Sequence, residues 1–340
     1  MKPYVFSAAS PQPDAAPVLG AWHRRPAFAM PAGACDCHVH VFGSRERYPL
    51  ADDRAFSPGI ARVEDLLAMH GAIGIERVVI VQASPQGTDN RGVVDALTAL
   101  RKLGREARAV AVVAPDASGA LLDELHVAGV RGLRVNLQSY GQTDPALAAA
   151  RMRACADQAA SMNWHVQTYT TLPVIAALQD TIRQLPVPLV VDHFGLADPA
   201  LGARQPGLDA LLALVAEGRV WVKLSAPYRL IDHADGHDGR WLARAFIDAS
   251  PEHMLWGTDW PHTGPWPGRP RELLGDEPFH PVDDGAQLDV FASWTTAAER
   301  QQILVDNPQR LYGFAPTTGT DAAEAEQRLQ ESEPWQPSAA

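Results

Sequence analysis

Ala34-Cys-Asp-Cys-His-Val-His40 is the stretch of sequence that decides the fold. Side chains of a β-strand point the same way at every second residue, so a strand here would put Asp36, His38 and His40 on one face. Two imidazoles that converge on one small volume serve as metal ligands or acid–base groups, although histidine pairs also occur as satisfied polar residues within strands. The segment therefore predicts a strand that ends at a candidate site.

Seven further β-rich apolar runs follow, and helix-like stretches separate them. The predicted strands are Cys35–Val41, Arg77–Ser84, Arg108–Ala114, Gly132–Leu137, Trp164–Thr170, Leu189–Phe194, Val220–Ser225 and Met254–Asp259. The predicted helices are Arg62–Ile73, Arg91–Leu103, Leu121–Ala128, Ala146–Met162, Pro173–Gln184, Gly207–Glu217 and Gly239–Ala249. This alternation predicts an α/β protein with a single-domain (β/α)8 TIM barrel. An open doubly wound sheet is the alternative, but the Gly-x-Gly-x-x-Gly turn of a nucleotide-binding sheet does not follow the first strand.

The predicted boundaries leave a segment outside the barrel at each end. Residues 1–33 form an N-terminal extension, residues 34–314 the barrel, and residues 315–340, rich in Thr, Ala, Glu and Gln, a tail that we expect to be disordered. A long loop is expected over Gly264–Gly285, and closing helices over Ala286–Gly313.

Composition excludes several classes of function. Acidic residues outnumber basic ones by 40 to 29, which argues against a surface for nucleic acid or anionic membrane. The sequence contains neither an apolar run that could span a bilayer nor a signal-peptide core, and its three cysteines fit a reducing compartment. We expect a cytoplasmic protein that acts on a small molecule, and a homo-oligomer stays open.

Polar residues late in the strands mark the chemistry of a barrel, because its active site lies at the carboxyl ends of the strands. Five predicted strands carry them: His38 and His40, Gln82 and Ser84, Arg134 and Asn136, His193, and Asp259. Each has a structural alternative, such as a helix cap for Ser84, loop support for Asn136, a core histidine for His193 and a turn cap for Asp259. His165 lies early in its strand and is expected in the barrel interior.

Taken in order, these motifs resemble the amidohydrolase superfamily, and within it the lactonase branch of the 2-pyrone-4,6-dicarboxylate lactonases. The segments that carry the resemblance are Asp36–Phe42, Gln82–Ser84 with Asp89-Asn90, Val130–Asn136, Val191–Gly195, Gly257–His262 and Asn307–Gly313. The resemblance spans residues 34–314 and implies the distorted barrel of that superfamily.

The resemblance implies hydrolysis of an anionic lactone. Asp259 would be the general base on the attacking water, while His38, His40 and His193 would polarise the carbonyl and stabilise the oxyanion. Ser84, Arg134, Tyr169 and Arg229 are the predicted substrate-binding residues, since arginines can hold a carboxylate in a bidentate pair. Gln138-Ser-Tyr140 stands where the pyrone lactonases carry another arginine, so a muconolactone, a sulfonated muconolactone or a sugar-acid lactone is also open.

The requirement for a metal ion distinguishes the competing functions. A two-metal site is disfavoured, because the fourth strand offers Arg134 and Asn136 and the fifth ends in Gln167 and Tyr169. We predict no obligatory metal, since Arg134 would repel a divalent cation. One zinc on His38, His40, His193 and Asp259 stays open. A zinc-dependent decarboxylase and a lactone isomerase of the same superfamily are the competing functions.

Overall fold

A computed structural model describes residues 19–20, 22–229, 239–264 and 275–316. Eight parallel strands lie in one sheet in chain order. They are β1 Cys35–Val39, β2 Arg77–Val81, β3 Ala107–Ala111, β4 Val130–Asn136, β5 His165–Tyr169, β6 Leu189–Val191, β7 Val220–Ser225 and β8 Met254–Gly257. The predicted (β/α)8 barrel is confirmed, with each strand paired to the next along the chain.

Helices follow the strands and form the outer layer. They are α1 Val63–Ile73, α2 Arg91–Lys102, α3 Gly119–Ala128, α4 Pro145–Ser161, α5 Leu172–Ala177, α6 Gln179–Arg183, α7 Leu208–Ala216, α8 Arg240–Ala249, α9 Asp284–Trp294, α10 Ala297–Gln301 and α11 Asn307–Tyr312. A π-helical turn, Gln302–Asp306, joins the last two. The helix predicted over Pro173–Gln184 is two short helices, because Leu178 leaves helical geometry at φ −99° and ψ 5°.

The barrel closes where β8 meets β1. Val39 and Trp260 form a parallel bridge, the Asp259 amide donates to the His38 carbonyl at 2.9 Å, and the His40 amide donates to the Trp260 carbonyl at 2.8 Å. Gly257 permits this approach, since a Cβ there would lie 2.8 Å from the backbone nitrogen of His38. The histidines of β1 are thus fixed directly to the segment that carries Asp259.

Alternation along the strands divides the core into two layers. Inward-facing residues fill the amino-terminal end of the barrel with an apolar cluster that includes Cys35, Cys37, Val79, Trp221 and Tyr312. The larger outer cluster lies between the strands and the helices. Since the lower barrel is packed with apolar side chains, the polar inward residues collect near its carboxyl end.

Every strand except β7 ends one to three residues earlier than predicted. Ser84-Pro85 begins a 3₁₀ turn after β2, and β1 stops at Val39. His193 is the last residue but one of its predicted strand, and Asp259 is the last residue of its own. Both have positive φ values, 50° and 66° respectively. A positive φ cannot continue a strand, so these side chains are presented by turns beyond the strand ends.

Both predicted end segments lie partly outside the described residues, because residues 1–18, 21 and 317–340 are not described. The middle of the predicted long loop, residues 265–274, also lies outside them. The described part of the extension packs on the barrel, since Trp260 Nε1 donates to the Leu19 carbonyl at 3.3 Å. His23 Nδ1 lies 3.3 Å from Asp284 Oδ2. Among the described helices, none combines the length and the hydropathy needed to cross a membrane.

Candidate active site

His38 and His40 converge as predicted, but Asp36 does not join them. The pairing of β1 with β2 shifts register between Asp36 and Val39, so the alternation breaks and both Cys37 and His38 face the interior. Asp36 turns outward, where Thr258 Oγ1 donates to it at 2.6 Å and His70 Nε2 lies 3.2 Å away. The prediction that Asp36 shares the histidines' face is therefore wrong.

A partner on Nδ1 orients each of the three histidines. His40 Nδ1 lies 2.8 Å from the Val81 carbonyl, and His193 Nδ1 lies 2.8 Å from Ser225 Oγ. His38 Nδ1 lies 3.2 Å from Asp192 Oδ1. Since the Nδ1 atoms are engaged, all three Nε2 atoms face the centre of the site. His38 Nε2 is buried and has no hydrogen-bond partner in the described ranges.

Asp259 completes the cluster with its two oxygens in different roles. Oδ2 accepts hydrogen bonds from Arg229 Nη2 at 2.5 Å and from the Tyr228 hydroxyl at 2.9 Å. Oδ1 faces the imidazoles, at 3.5 Å from His193 Nε2 and 3.8 Å from the Nε2 atoms of both β1 histidines. One oxygen is thus anchored, while the other is available to the chemistry.

Burial and charge set the protonation states. Burial alone would raise the pKa of Asp259, but the Arg229 guanidinium and the imidazoles hold that pKa well below its usual range. Burial lowers the pKa of His40 and His193 to about 4, and that of His38 well below its ordinary value. At neutral pH the site therefore holds an ionised carboxylate beside three neutral imidazoles.

A buried charge network that the sequence analysis missed lies directly beneath the site. Asp192 Oδ2 accepts from Arg134 Nη2 at 3.0 Å and from Gln167 Nε2 at 3.1 Å. Lys223, fully buried on β7, places Nζ 2.7 Å from Gln167 Oε1, 3.5 Å from Asp192 Oδ1 and 3.3 Å from His38 Nδ1. Alternation of Trp221, Lys223 and Ser225 along β7 was the available signal.

The four residues predicted to bind substrate lie around this cluster. Ser84 is buried at the start of its 3₁₀ turn, and Arg134 faces inward with its Nη1 donating to the Gln82 carbonyl at 3.1 Å. The Tyr169 ring meets His193 edge-on at 5.4 Å and lies 5.8 Å from the Arg134 guanidinium. Arg229 is not a surface loop residue, because its side chain is 13% exposed and contacts Asp259.

The structure also shows where the remaining residues from the sequence analysis lie. Asn136 supports its own loop, as its Oδ1 accepts from the Ser139 amide at 3.0 Å. His165 lies in the barrel interior, where its ring fills the space beside Gly132 and meets Tyr312 at 5.3 Å. The three cysteines are free, with Cys35 and Cys37 buried.

The donor set fits one divalent ion. His38, His193 and Asp259 offer ligand atoms within 4.8 Å of one another, and His40 stands at the edge of this group. Two ligands of a tetrahedral zinc are about 3.3 Å apart, near the 3.5 Å between Asp259 Oδ1 and His193 Nε2. The Nδ1 partners resemble the outer hydrogen bonds that orient metal-binding histidines. The repulsion expected from Arg134 is reduced, since Asp192 pairs with it.

Comparison with known proteins agrees with this geometry. Residues 35–314 match the profile of the amidohydrolase family. A 2-pyrone-4,6-dicarboxylate hydrolase of Comamonas testosteroni is 36% identical over 303 residues, which are 85% of this chain and 92% of that protein. A 4-sulfomuconolactone hydrolase of Hydrogenophaga intermedia is 33% identical over 84% of this chain and 90% of its own.

A solved structure shows the same architecture. A candidate 2-pyrone-4,6-dicarboxylic acid hydrolase from Pseudomonas putida superposes with a TM-score of 0.71 at 32% identity, covering 85% of this chain and 100% of that one. The resemblance that the motifs suggested is confirmed over the barrel. The chain therefore belongs to the amidohydrolase family.

Proposed function

We propose that this protein hydrolyses the ester bond of an anionic lactone, of the 2-pyrone-4,6-dicarboxylate, muconolactone or sulfomuconolactone class. One observation carries the proposal: Asp259 Oδ1 faces three imidazole Nε2 atoms at 3.5 to 3.8 Å while Arg229 and Tyr228 hold Oδ2. A fixed carboxylate that faces three imidazole Nε2 atoms suits attack of water on a carbonyl. The lactone substrates in the names of two relatives support this assignment.

The proposed reaction divides its steps among the residues of the site. Asp259 Oδ1 takes the proton of the attacking water, and Tyr228 and Arg229 keep the carboxylate in position. His193, whose Nδ1 can accept from the Ser225 hydroxyl, donates a hydrogen bond from Nε2 to the carbonyl oxygen as negative charge develops there. His40 and His38 have their Nδ1–H groups directed at the Val81 carbonyl and at Asp192, so they polarise the carbonyl from Nε2 only after taking up a proton. As the ring C–O bond breaks, the proton on Asp259 passes to the leaving oxygen, which becomes an alcohol or enol. The new acid group releases the second proton of the water to solvent and remains as a carboxylate.

Substrate binding is assigned to the polar rim of the site. Arg134 and Arg229 attract the acid group of the lactone, and Ser84 and Tyr169 add hydrogen bonds. Both guanidiniums already contact carboxylates of the protein, at Asp192 and Asp259. They are therefore preorganised, and their orientation costs little side-chain entropy when substrate binds.

A metal would be held by His38, His193 and Asp259, with His40 beside them. A divalent ion bound there would supply a polarised carbonyl and a more acidic water. We keep the expectation that hydrolysis has no obligatory metal, and chelation tests it. The same free cysteines that fit a reducing compartment support our placement of the enzyme in the cytoplasm.

The first experiment follows the ultraviolet absorbance of 2-pyrone-4,6-dicarboxylate and the muconolactones with enzyme, before and after treatment with a chelator. Loss of absorbance that survives chelation supports the metal-independent lactonase. Activity lost with the metal and restored by zinc would make the histidines ligands. Release of carbon dioxide would instead indicate the zinc-dependent decarboxylase, and a product still containing a lactone would indicate the isomerase.

Replacing the carboxylate tests the general base directly. Asp259→Asn should lower kcat by about 10²- to 10⁴-fold while ligand binding persists, because the amide keeps the shape but cannot accept the proton. Asp209→Asn, on the exposed face of α7, is the matched control. An Asp259→Asn enzyme that turns over near the wild-type rate would show that the general-base assignment is wrong.

A further inference from the structure

A groove of about 250 Å³ begins beside the site, and none of the residues assigned to the reacting centre lines it. Arg134 lines it, together with Ser84 from the turn after β2. The groove then passes the carboxyl end of β3 and reaches the face of α4 that carries Arg151 and Ala154, both exposed. It thus extends from two of the predicted substrate-binding residues to the protein surface.

The walls of the groove are apolar and its fixed charges are positive. Val112, Val113, Leu133 and Val135 contribute apolar surface. The two charged groups of the lining are the guanidiniums of Arg134 and Arg151. Gln158 of α4 donates to the carbonyls of Ala114 and Pro115 at 3.1 and 3.0 Å, which ties the helix to the loop on the other side. A small anion with an apolar body suits such a lining.

The two arginines differ in what they already bind. Arg134 is buried and paired with Asp192, although its Nε–H has no partner in the described ranges. Arg151 forms neither a hydrogen bond nor an ion pair within the described part of the chain. Its charge is therefore available to an incoming group, whereas the charge of Arg134 is largely compensated.

The charges of both arginines act on the hydroxyl of Tyr140. Its hydroxyl lies 3.4 Å from the Ser84 carbonyl, and it too lines the groove. Burial and the carboxylate of Asp53 raise the pKa of this hydroxyl, while Arg134 and Arg151 both act to lower it. Arg134, Arg151 and Tyr140 thus line one groove, and both guanidiniums act on the same phenol group.

We propose that the groove is a second anion subsite, in which Arg151 and Tyr140 bind an acid group of the substrate remote from the lactone carbonyl. The proposal rests on the proposed function for the identity of the substrate. It makes Arg151 a specificity-determining residue, which selects lactones with two acid groups over those with one. Arg134 then forms the boundary between the subsite and the reacting centre.

Binding of a nonreactive ligand tests the subsite independently of catalysis. Isophthalate carries two carboxylates in a 1,3 arrangement on a six-membered ring, and benzoate carries one. By calorimetry, Arg151→Gln should weaken isophthalate binding about five- to tenfold and leave benzoate unchanged, since one partly exposed charge-assisted contact is lost. Arg151→Lys should recover part of the loss, because it keeps the charge without the bidentate geometry.

Arg153→Gln is the matched control, since that side chain leaves the same helix toward Thr181, 2.9 Å away. Equal binding of isophthalate by the wild type and Arg151→Gln would overturn the proposal, as would undetectable isophthalate binding by the wild type or equal weakening in the Arg153→Gln control. Kinetics then separate the two proposals. An enzyme that binds isophthalate through Arg151 but opens no lactone would retain the subsite and lose the proposed function.

In an active enzyme, Arg151→Gln should raise the KM for 2-pyrone-4,6-dicarboxylate about five- to tenfold with kcat nearly constant. One of the two monocarboxylates, 2-pyrone-4-carboxylate or 2-pyrone-6-carboxylate, lacks the acid group that Arg151 binds. The KM for that monocarboxylate should not change. An equal rise in KM for all three lactones would indicate only a general electrostatic effect and would contradict a specific subsite.

Discussion

Asp192 is the residue that balances the buried charges beneath the site. It lies between Arg134 at 3.0 Å and Lys223 at 3.5 Å, and all three side chains are buried. Burial would raise its pKa, but His38 and the two cations hold that pKa well below its usual range. A single carboxylate thus compensates two cations in a region of low dielectric, so the two ends of the network are not equivalent.

We expect this asymmetry to appear in stability. Asp192→Asn leaves two buried cations without an anion and should lower the free energy of unfolding by about 3 to 5 kcal/mol. Lys223→Met keeps the Arg134–Asp192 pair and fills the barrel with an apolar chain of similar length, so its cost should be about 1 kcal/mol or less. Denaturant unfolding measures both. Equal costs would contradict the assignment of Asp192 as the shared counterion.

Strands β1 and β8 set the geometry of the site at the scale of elements. Gly257 of β8 faces the register shift of β1, and a Cβ at this position would meet His38 Cβ and N at 2.8 Å and Asp36 Oδ1 at 3.2 Å. The contacted atoms are mostly backbone or near it, so they cannot move aside without moving the histidine. The absence of a side chain at one position of β8 therefore permits the bulge of β1.

Gly257→Ala tests this coupling. The variant should lower the free energy of unfolding by about 1 to 3 kcal/mol through overpacking. Turnover should fall at least about tenfold, because a small displacement of a catalytic group is costly. Gly71→Ala in α1 is the control: nothing lies within 4 Å of its added methyl, and it should stabilise the protein by about 0.5 to 1 kcal/mol. Unchanged turnover in Gly257→Ala would contradict the coupling.

Buried histidines make the stability of the whole molecule depend on pH. Burial lowers the pKa of His40 and His193 to about 4 and that of His165 and His280 to about 3, against 6.5 for an unperturbed histidine. Between these values the unfolded chain binds protons that the folded chain does not. The free energy of unfolding therefore rises with pH from about 4 to 6.5, and acidification destabilises the fold in that window.

His165 isolates one part of this effect, because it lies in the barrel interior away from the reacting centre. His165→Gln should reduce the loss of stability between pH 7 and pH 5 by about 2 kcal/mol, since one group no longer has to remain neutral below 6.5. Unfolding curves at the two pH values give the difference for the wild type and the variant. An unchanged difference would show that His165 takes up no additional proton on unfolding.

The sequence alone determined what local geometry controls. Eight β-rich apolar runs that alternate with helix-like stretches predicted the barrel, and the position of polar residues late in those runs predicted His38, His40, His193 and Asp259 as neighbours. These four do converge at the carboxyl end of the barrel. Such predictions succeed because strand period and strand direction are set by backbone sterics that act over a few residues.

Only the tertiary structure decided which side chains meet across the barrel. The β1 bulge turned Asp36 outward, Arg229 came to bond the carboxylate of Asp259, and Lys223 came to lie against His38, 185 positions earlier in the chain. Strand periodicity gives the face of a residue but neither its register against distant strands nor its partner. Those depend on how the barrel closes and on the cost of leaving a buried charge unpaired, which are properties of the packed molecule.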